Sequence, residues 1–264
     1  MKKQETISDS CLSEGISRLK EITKTEKLKG WHFEKVFSES EIENFSFYSR
    51  SPKSYLTNEI NPTVILGTTH VSYNNMTWIE MLGSLQRYWT QEPEKTIYNI
   101  HDETIIEKKS VAKYGDIYLI SAGGNHRICL AKFLGLEKIK VEISEYEFDH
   151  ESFRIYSQFQ TLGFKTKYYI SQDGTQWEVI TNYLRLQIFG SSLAEKFIGY
   201  YQNQSMKPID YLKNLLHNYR KFEHEPYHNI KSESQFEDIK MQIIATKHDL
   251  PLVTKYGYGK IKSR

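Results

Sequence analysis

Hydrophobic positions along the chain fall into short runs, some at helical and some at strand spacing. Leu12, Ile16, Leu19 and Ile22 share a stripe that predicts a helix over residues 8–29. Trp78, Met81, Leu82, Leu85 and Trp89 do the same for residues 77–89. Between them, Trp31 to Phe47 alternates aromatics with charges and fits neither period. Ser49–Ser54 is a loop by composition, Asn61-Pro62 a turn, and Thr63–Gly67 a short strand. Asn74-Asn75 breaks the chain before the second helix. Residues 91–109 are polar and looped, apart from a strand at Thr96 to Ile100.

The best-punctuated stretch follows. Tyr114-Gly115-Asp116 is a turn, and Ile117-Tyr118-Leu119-Ile120 is a continuous apolar run of strand length, as in a buried strand. Ser121-Ala122-Gly123-Gly124-Asn125-His126-Arg127 leads into a helix through Leu134, with Leu130, Ala131 and Leu134 on its buried face. Gly135 stands where a helix end takes a left-handed residue, and Leu136 supplies the hydrophobic contact that goes with it. Ile139, Val141 and Ile143 then alternate with Lys140 and Glu142 as a half-buried strand.

The pattern changes after Asp149. Lys167 to Thr181 holds Asp173-Gly174 between aromatic and β-branched residues, a hairpin signal. Leu193–Tyr201, Pro208–Tyr219 and Ser234–Lys247 predict helices, and residues 255–264 form a basic tail with Gly-Tyr repeats. The fold class expected is α+β. Residues 1–48 form an N-terminal helix and lead-in, 49–149 a core of mixed sheet with helices, and 150–264 a hairpin plus a mostly helical C-terminal module.

Hydrophobic residues make up 39% of the chain, and 19 Tyr, 13 Phe and 4 Trp offset that modest share with large contact areas. A net charge of +2 is weak support for wrapping nucleic acid. Cys11 and Cys129 suggest neither a disulfide framework nor a thiolate metal site, and a reducing, cytoplasmic setting is the default. No apolar run is long enough for a signal peptide core or a membrane span.

The chemistry concentrates at Gly123–Arg127. Two glycines permit a tight turn and close approach of a ligand. The turn joins a strand end to a helix start, where the helix dipole favours an anion. Asn125 either caps the helix or donates to a phosphate. His126 and Arg127 add one titratable and one permanent cation, and the guanidinium fork matches phosphate oxygens. The structural alternative is a plain Asn cap, a packed His, and Arg127 paired with Asp116 or Glu145.

These residues resemble a known family. Gly115–Ile120, Gly124-Asn125-His126-Arg127, Ala131, Leu134-Gly135-Leu136 and Ile139-Lys140-Val141 are similar to the phosphate-binding segment of the ParB/sulfiredoxin superfamily. Glu80–Leu85 resembles the helix that precedes it there. The superfamily includes CTP-hydrolysing partition proteins, ATP-using sulfiredoxins and free-serine kinases. The resemblance implies a nucleotide-binding protein, an NTPase or phosphotransferase, that takes ATP or CTP with Mg2+. Gly123, Gly124, Asn125 and Arg127 would hold the phosphates, and His126 would act catalytically. Asn125 stands where sulfiredoxins carry their catalytic Cys, so that reaction is not expected. A double-Arg box and a helix-turn-helix, marks of partition proteins, are also missing.

Glu80 is the first carboxylate candidate for phosphoryl transfer, but Thr77-Trp78-Ile79-Glu80 equally reads as a capping box. Asp116 is at most an outer participant, and Asp102 and Glu103 sit in a polar loop. His70 could face the same pocket. His217, His224 and His228 do not share one helical face because Pro226 intervenes, so no metal site is expected. The alternative function is a DNA-binding or nuclease-accessory module of a mobile element or phage-defence system, using the basic tail.

Overall fold

A computed structural model describes residues 2–24, 27–85, 98, 100, 109–121, 123–171, 174–181, 184–205, 227–248, 253–254 and 257–258. They form a mixed α+β protein whose chain divides into two units, Met1–Phe148 and Asp149–Arg264. The expected Trp89, Asp102, Glu103, the helix Pro208–Tyr219, His217, His224 and most of the basic tail lie outside the described residues.

The first unit is built on β1 (Phe37–Ser38), β2 (Ser54–Ile60), β3 (Ile65–Thr68), β4 (Ser110–Tyr114), β5 (Ile117–Ile120) and β6 (Ile139–Tyr146). They form one six-stranded sheet in the order β1-β3-β5-β4-β6-β2. β1, β3 and β5 run parallel, so their carboxyl ends reach the same edge. β4 and β5 form a hairpin around Gly115, and β4 pairs in parallel with β6. β2 covers the outer side of β6 along its whole length.

Helices of the unit include α1 (Lys2–Thr23), α2 (Trp78–Ser84) and α3 (Asn125–Leu134). Ile79 and Leu82 of α2, Ile128, Leu130 and Ala131 of α3, and Ile65, Val111, Ile120 and Val141 of the sheet share a buried core. The segment 1–48 is therefore part of this unit, since Leu19 and Val36 belong to the same core. α1 and α2 cross closely, and a Cβ at Gly83 would lie 1.9 Å from the Cys11 carbonyl oxygen. Arg18, buried beside this crossing, donates to the Leu82 carbonyl oxygen at 3.0 Å and to Glu14 at 2.8 Å. Its charge thus meets the negative end of α2.

Several boundaries differ from the sequence reading. α1 stops at Thr23 because Lys24 takes a left-handed conformation (φ 53), well before residue 29. Trp31 to Phe47 resolves into three 3-10 turns around the two-residue β1. The strand expected over Thr63–Gly67 starts later, after a 3-10 turn at Pro62–Val64 fixed by the Asn61 side chain. β2 carries no pattern to read, because its residues 55–59 are all exposed. Tyr98 and Ile100, the described residues of the expected strand at 96–100, are helical. β5, α3, its left-handed Gly135 (φ 68) and β6 follow the sequence closely, with the Leu136 N–H bonded back to Ala131 at 3.2 Å.

The second unit contains α4 (His150–Thr161), β7 (Lys165–Ser171), β8 (Gly174–Ile180), β9 (Arg185–Phe189), α5 (Ser191–Asn203), β10 (Tyr227–Ile230) and α6 (Lys240–His248). The expected hairpin is β7–β8, but β9 and β10 extend it to a four-stranded sheet in the order β10-β9-β8-β7. A mostly helical module therefore understates the strands, although β9 buries Leu186 and Ile188 at alternate positions around Gln187. Phe159, Phe164, Trp177 and Phe197 pack ring against ring in this unit's core. A two-stranded ribbon of β11 (Val253–Thr254) and β12 (Gly257–Tyr258) ends the described chain.

Candidate functional site

The parallel pairing of β3 with β5 decides what meets the Gly123–Arg127 turn. Both strands end at the same edge, so Thr68-Thr69-His70 after β3 lies beside Ser121 and the turn after β5. The Thr69 N–H donates to the Ile120 carbonyl oxygen at 2.9 Å, continuing the ladder beyond the strand. Thr68 is buried, and its hydroxyl lies 2.6 Å from Asn125 Oδ1 and 3.1 Å from the Ile120 carbonyl oxygen. A hydroxyl has one proton, and the shorter contact is the better claim on it. The same oxygen accepts the His70 N–H at 3.1 Å. One threonine thus ties together both strand ends, the loop after β3 and the first residue of α3.

Gly123 has φ 79, a left-handed conformation that costs glycine little. Gly124 is needed for a different reason. Its φ is −87, but a Cβ there would come within 3.0 Å of both Ile120 Cγ2 and Ile128 Cδ1. It is buried and precedes α3 as the cap residue, its carbonyl accepting the Ile128 N–H at 3.0 Å. Gly123 is the exposed member of the pair, so it is the one a ligand would approach.

Asn125 is the first residue of α3, after the cap residue Gly124; it is 7% exposed, with its oxygen taken by Thr68. That leaves its NH2 group as donor. His126 and Arg127 are half-buried on the first turn of α3, at the positive end of its dipole.

Other candidates are dispersed. Glu80 completes the capping box of α2, its Oε2 accepting the Thr77 N–H at 2.7 Å and the Thr77 hydroxyl at 2.8 Å. Its carboxylate is thereby committed to the helix start. Trp78 beside it packs on Lys132, about 10 Å along α3 from Asn125 at the helical rise per residue. Asp116 lies in the turn before β5, about 13 Å from that strand's carboxyl end, at the other edge of the sheet. Glu145 pairs with Lys113 at 2.7 Å near that far edge. His70 does reach the site's edge, exposed, with Nδ1 accepting the Ser72 N–H at 3.2 Å. Cys129 is fully buried and its thiol is pushed up to about 12 by desolvation, so it is no nucleophile near neutral pH.

Among the described residues no three His, Cys, Asp or Glu side chains gather as a metal site. The Asn125 NH2 group and the Arg127 guanidinium at this edge are donors of the kind that suit an anion. Sequence reasoning missed Thr68, whose only signal was a polar residue ending an apolar strand. It also passed over Lys132, which is 8% exposed and donates to the Ile65 carbonyl oxygen at 2.7 Å.

No family model matches the chain, and no curated protein or solved structure matches it. Among the described residues no helix is long and apolar enough to cross a membrane.

Proposed function

We propose that the first unit is a ParB/sulfiredoxin-like domain that binds a nucleoside triphosphate, ATP or CTP, at the carboxyl edge of β3 and β5 and acts as an NTPase or phosphotransferase. The single observation that carries this reading is the Thr68–Asn125 hydrogen bond of 2.6 Å, which locks the turn and the loop after β3 around one edge. Such an edge, between parallel strand ends and a helix start, is a common phosphate site.

Gly123 admits the phosphates, the Asn125 NH2 group and Arg127 hold them, and His126 steadies charge on the transferring phosphoryl group. In hydrolysis, water oxygen bonds to the terminal phosphorus while the bond to the leaving diphosphate breaks. Mg2+ carried in on the phosphate oxygens would neutralise part of their charge. Glu80, held in its capping box, is not the base of this scheme.

Thermal stability measured against ATP, CTP, GTP and AMP, with and without Mg2+, tests the reading on wild type and His126→Ala. A triphosphate-specific rise that shrinks in the variant is expected. No rise with any nucleotide would sink it.

A second reading, contact with DNA, draws on the second unit. Lys167, Tyr169, Glu178 and Gln187 share one sheet face through the registers Lys167↔Glu178, Tyr169↔Gln176 and Glu178↔Gln187. Lys165, Lys167 and Arg185 add exposed cations, although both Lys167 and Arg185 are paired with Glu178. A DNA gel shift that weakens steeply with salt, and further in Lys165→Glu/Lys167→Glu, is its expected signature. Absence of any shift at low salt would dismiss it.

A further inference from the structure

The last turn of α3 carries a second feature, separate from the turn at its start. Trp31, Glu34, Lys35, Phe37, Thr63, Leu66, Trp78 and Lys132 line a cavity of about 340 Å³ that opens to solvent, within the size range of small-molecule sites. Lys132 is the buried polar group of its lining. Its Nζ donates to the Ile65 carbonyl oxygen at 2.7 Å and lies 4.0 Å from the Trp78 ring centroid and 5.5 Å from that of Trp31. Among the described residues no carboxylate lies within ion-pair distance of it. An ammonium taken from water without a counter-ion is costly, and an anion entering the cavity would complete the pair.

We propose that this cavity binds a small aromatic carboxylate, its ring against Trp31 and Phe37 and its carboxylate on Lys132. The aromatic walls favour a flat apolar body, and Lys132 favours one negative charge beside it. The other charged groups of the lining are Glu34 and Lys35, both exposed, and Lys35 is already paired with Glu41 at 2.7 Å. Glu34 therefore opposes the ligand's charge from the rim.

The pH dependence follows from the groups around Lys132. Burial lowers the Lys132 ammonium to about 8, while Cys129 on the same helix and Glu34 act the other way. Cys129 stays a thiol up to about 12. A carboxylate selects the charged lysine, so affinity is level between the ligand's own titration at about pH 4 and about pH 8, and falls as pH rises beyond it.

Calorimetric titration with benzoate, and with benzamide as its uncharged counterpart, tests the proposal on the full chain. Benzoate should bind at least tenfold more tightly than benzamide at pH 7, and Lys132→Met should remove that preference. Glu34→Gln, an exposed substitution that leaves the core intact, should tighten benzoate severalfold. Arg127→Ala should leave benzoate unaffected, which separates this site from the nucleotide site. Equal binding of the two probes, no binding of benzoate, or weaker binding in Glu34→Gln would overturn it.

Discussion

The two ends of α3 are fastened to the same strand by different means. At its start, Asn125 meets Thr68 at the carboxyl end of β3; in its last turn, Lys132 meets Ile65 at the beginning of β3. Seven helical residues and three strand residues each advance about 10 Å, so helix and strand match in length between the two bonds. At the first end neutral polar groups satisfy one another, and the positive dipole end is left to face the sheet edge. At the second end a cation is buried among aromatic rings, steadied by a carbonyl and by the negative end of the helix. The same element thus carries a satisfied polar pair at one end and a buried charge without a counter-ion among the described residues at the other. The difference teaches that burial of a charge, more than its presence, marks where a partner is missing.

Lys132 gives the largest expected effect. Its ammonium is lowered to about 8 in the folded protein, below its unfolded value, so the folded chain loses the proton first as pH rises. The penalty is full below pH 8 and is relieved between about pH 8 and 10.5. Denaturant unfolding should show wild type gaining on Lys132→Met by up to about 3 kcal/mol across that window. A constant difference would mean that Lys132 is not penalised by burial.

Thr68→Val comes next. It removes the donor to Asn125 and the acceptor for the His70 N–H, and should destabilise the protein by about 2 kcal/mol as well as weaken nucleotide binding. A loss of stability without a loss of binding would separate the two functions assigned to this bond. A smaller effect is expected for Gln242→Leu in the second unit. Gln242 is 1% exposed and, among the described residues, neither of its side-chain polar atoms has a partner. Replacing the amide should raise stability by about 1 kcal/mol, because an unmade buried hydrogen bond is relieved. Destabilisation there would show that the amide holds a buried water.

The legible parts of the fold are those marked by their own local residues. β5, α3 and β6 could be read because an apolar run, two glycines, a helical stripe, Gly135 and an alternating strand follow one another without a gap. The capping box at Thr77–Glu80 was legible for the same reason. β1 and β2 were not, one being two residues long and the other an exposed edge strand. In the site, the turn could be named from sequence, whereas Thr68 joins it across 57 residues through parallel pairing that no local pattern encodes. Lys132 reads as an ordinary helical lysine until Trp31 and Trp78 are brought beside it by the fold. Arg18 is concealed in the same way, its role depending on the end of a helix 64 residues away.

The claim that the start of α3 is the phosphate site is tested most directly by calorimetric titration of ATP and CTP, with Mg2+, into wild type, Arg127→Ala and Lys132→Met. One nucleotide should bind wild type and Lys132→Met alike, and Arg127→Ala at least tenfold more weakly, since a charge-assisted pair contributes about 1.5–3 kcal/mol. Unchanged affinity in Arg127→Ala, or no binding of either nucleotide to wild type, would contradict the account.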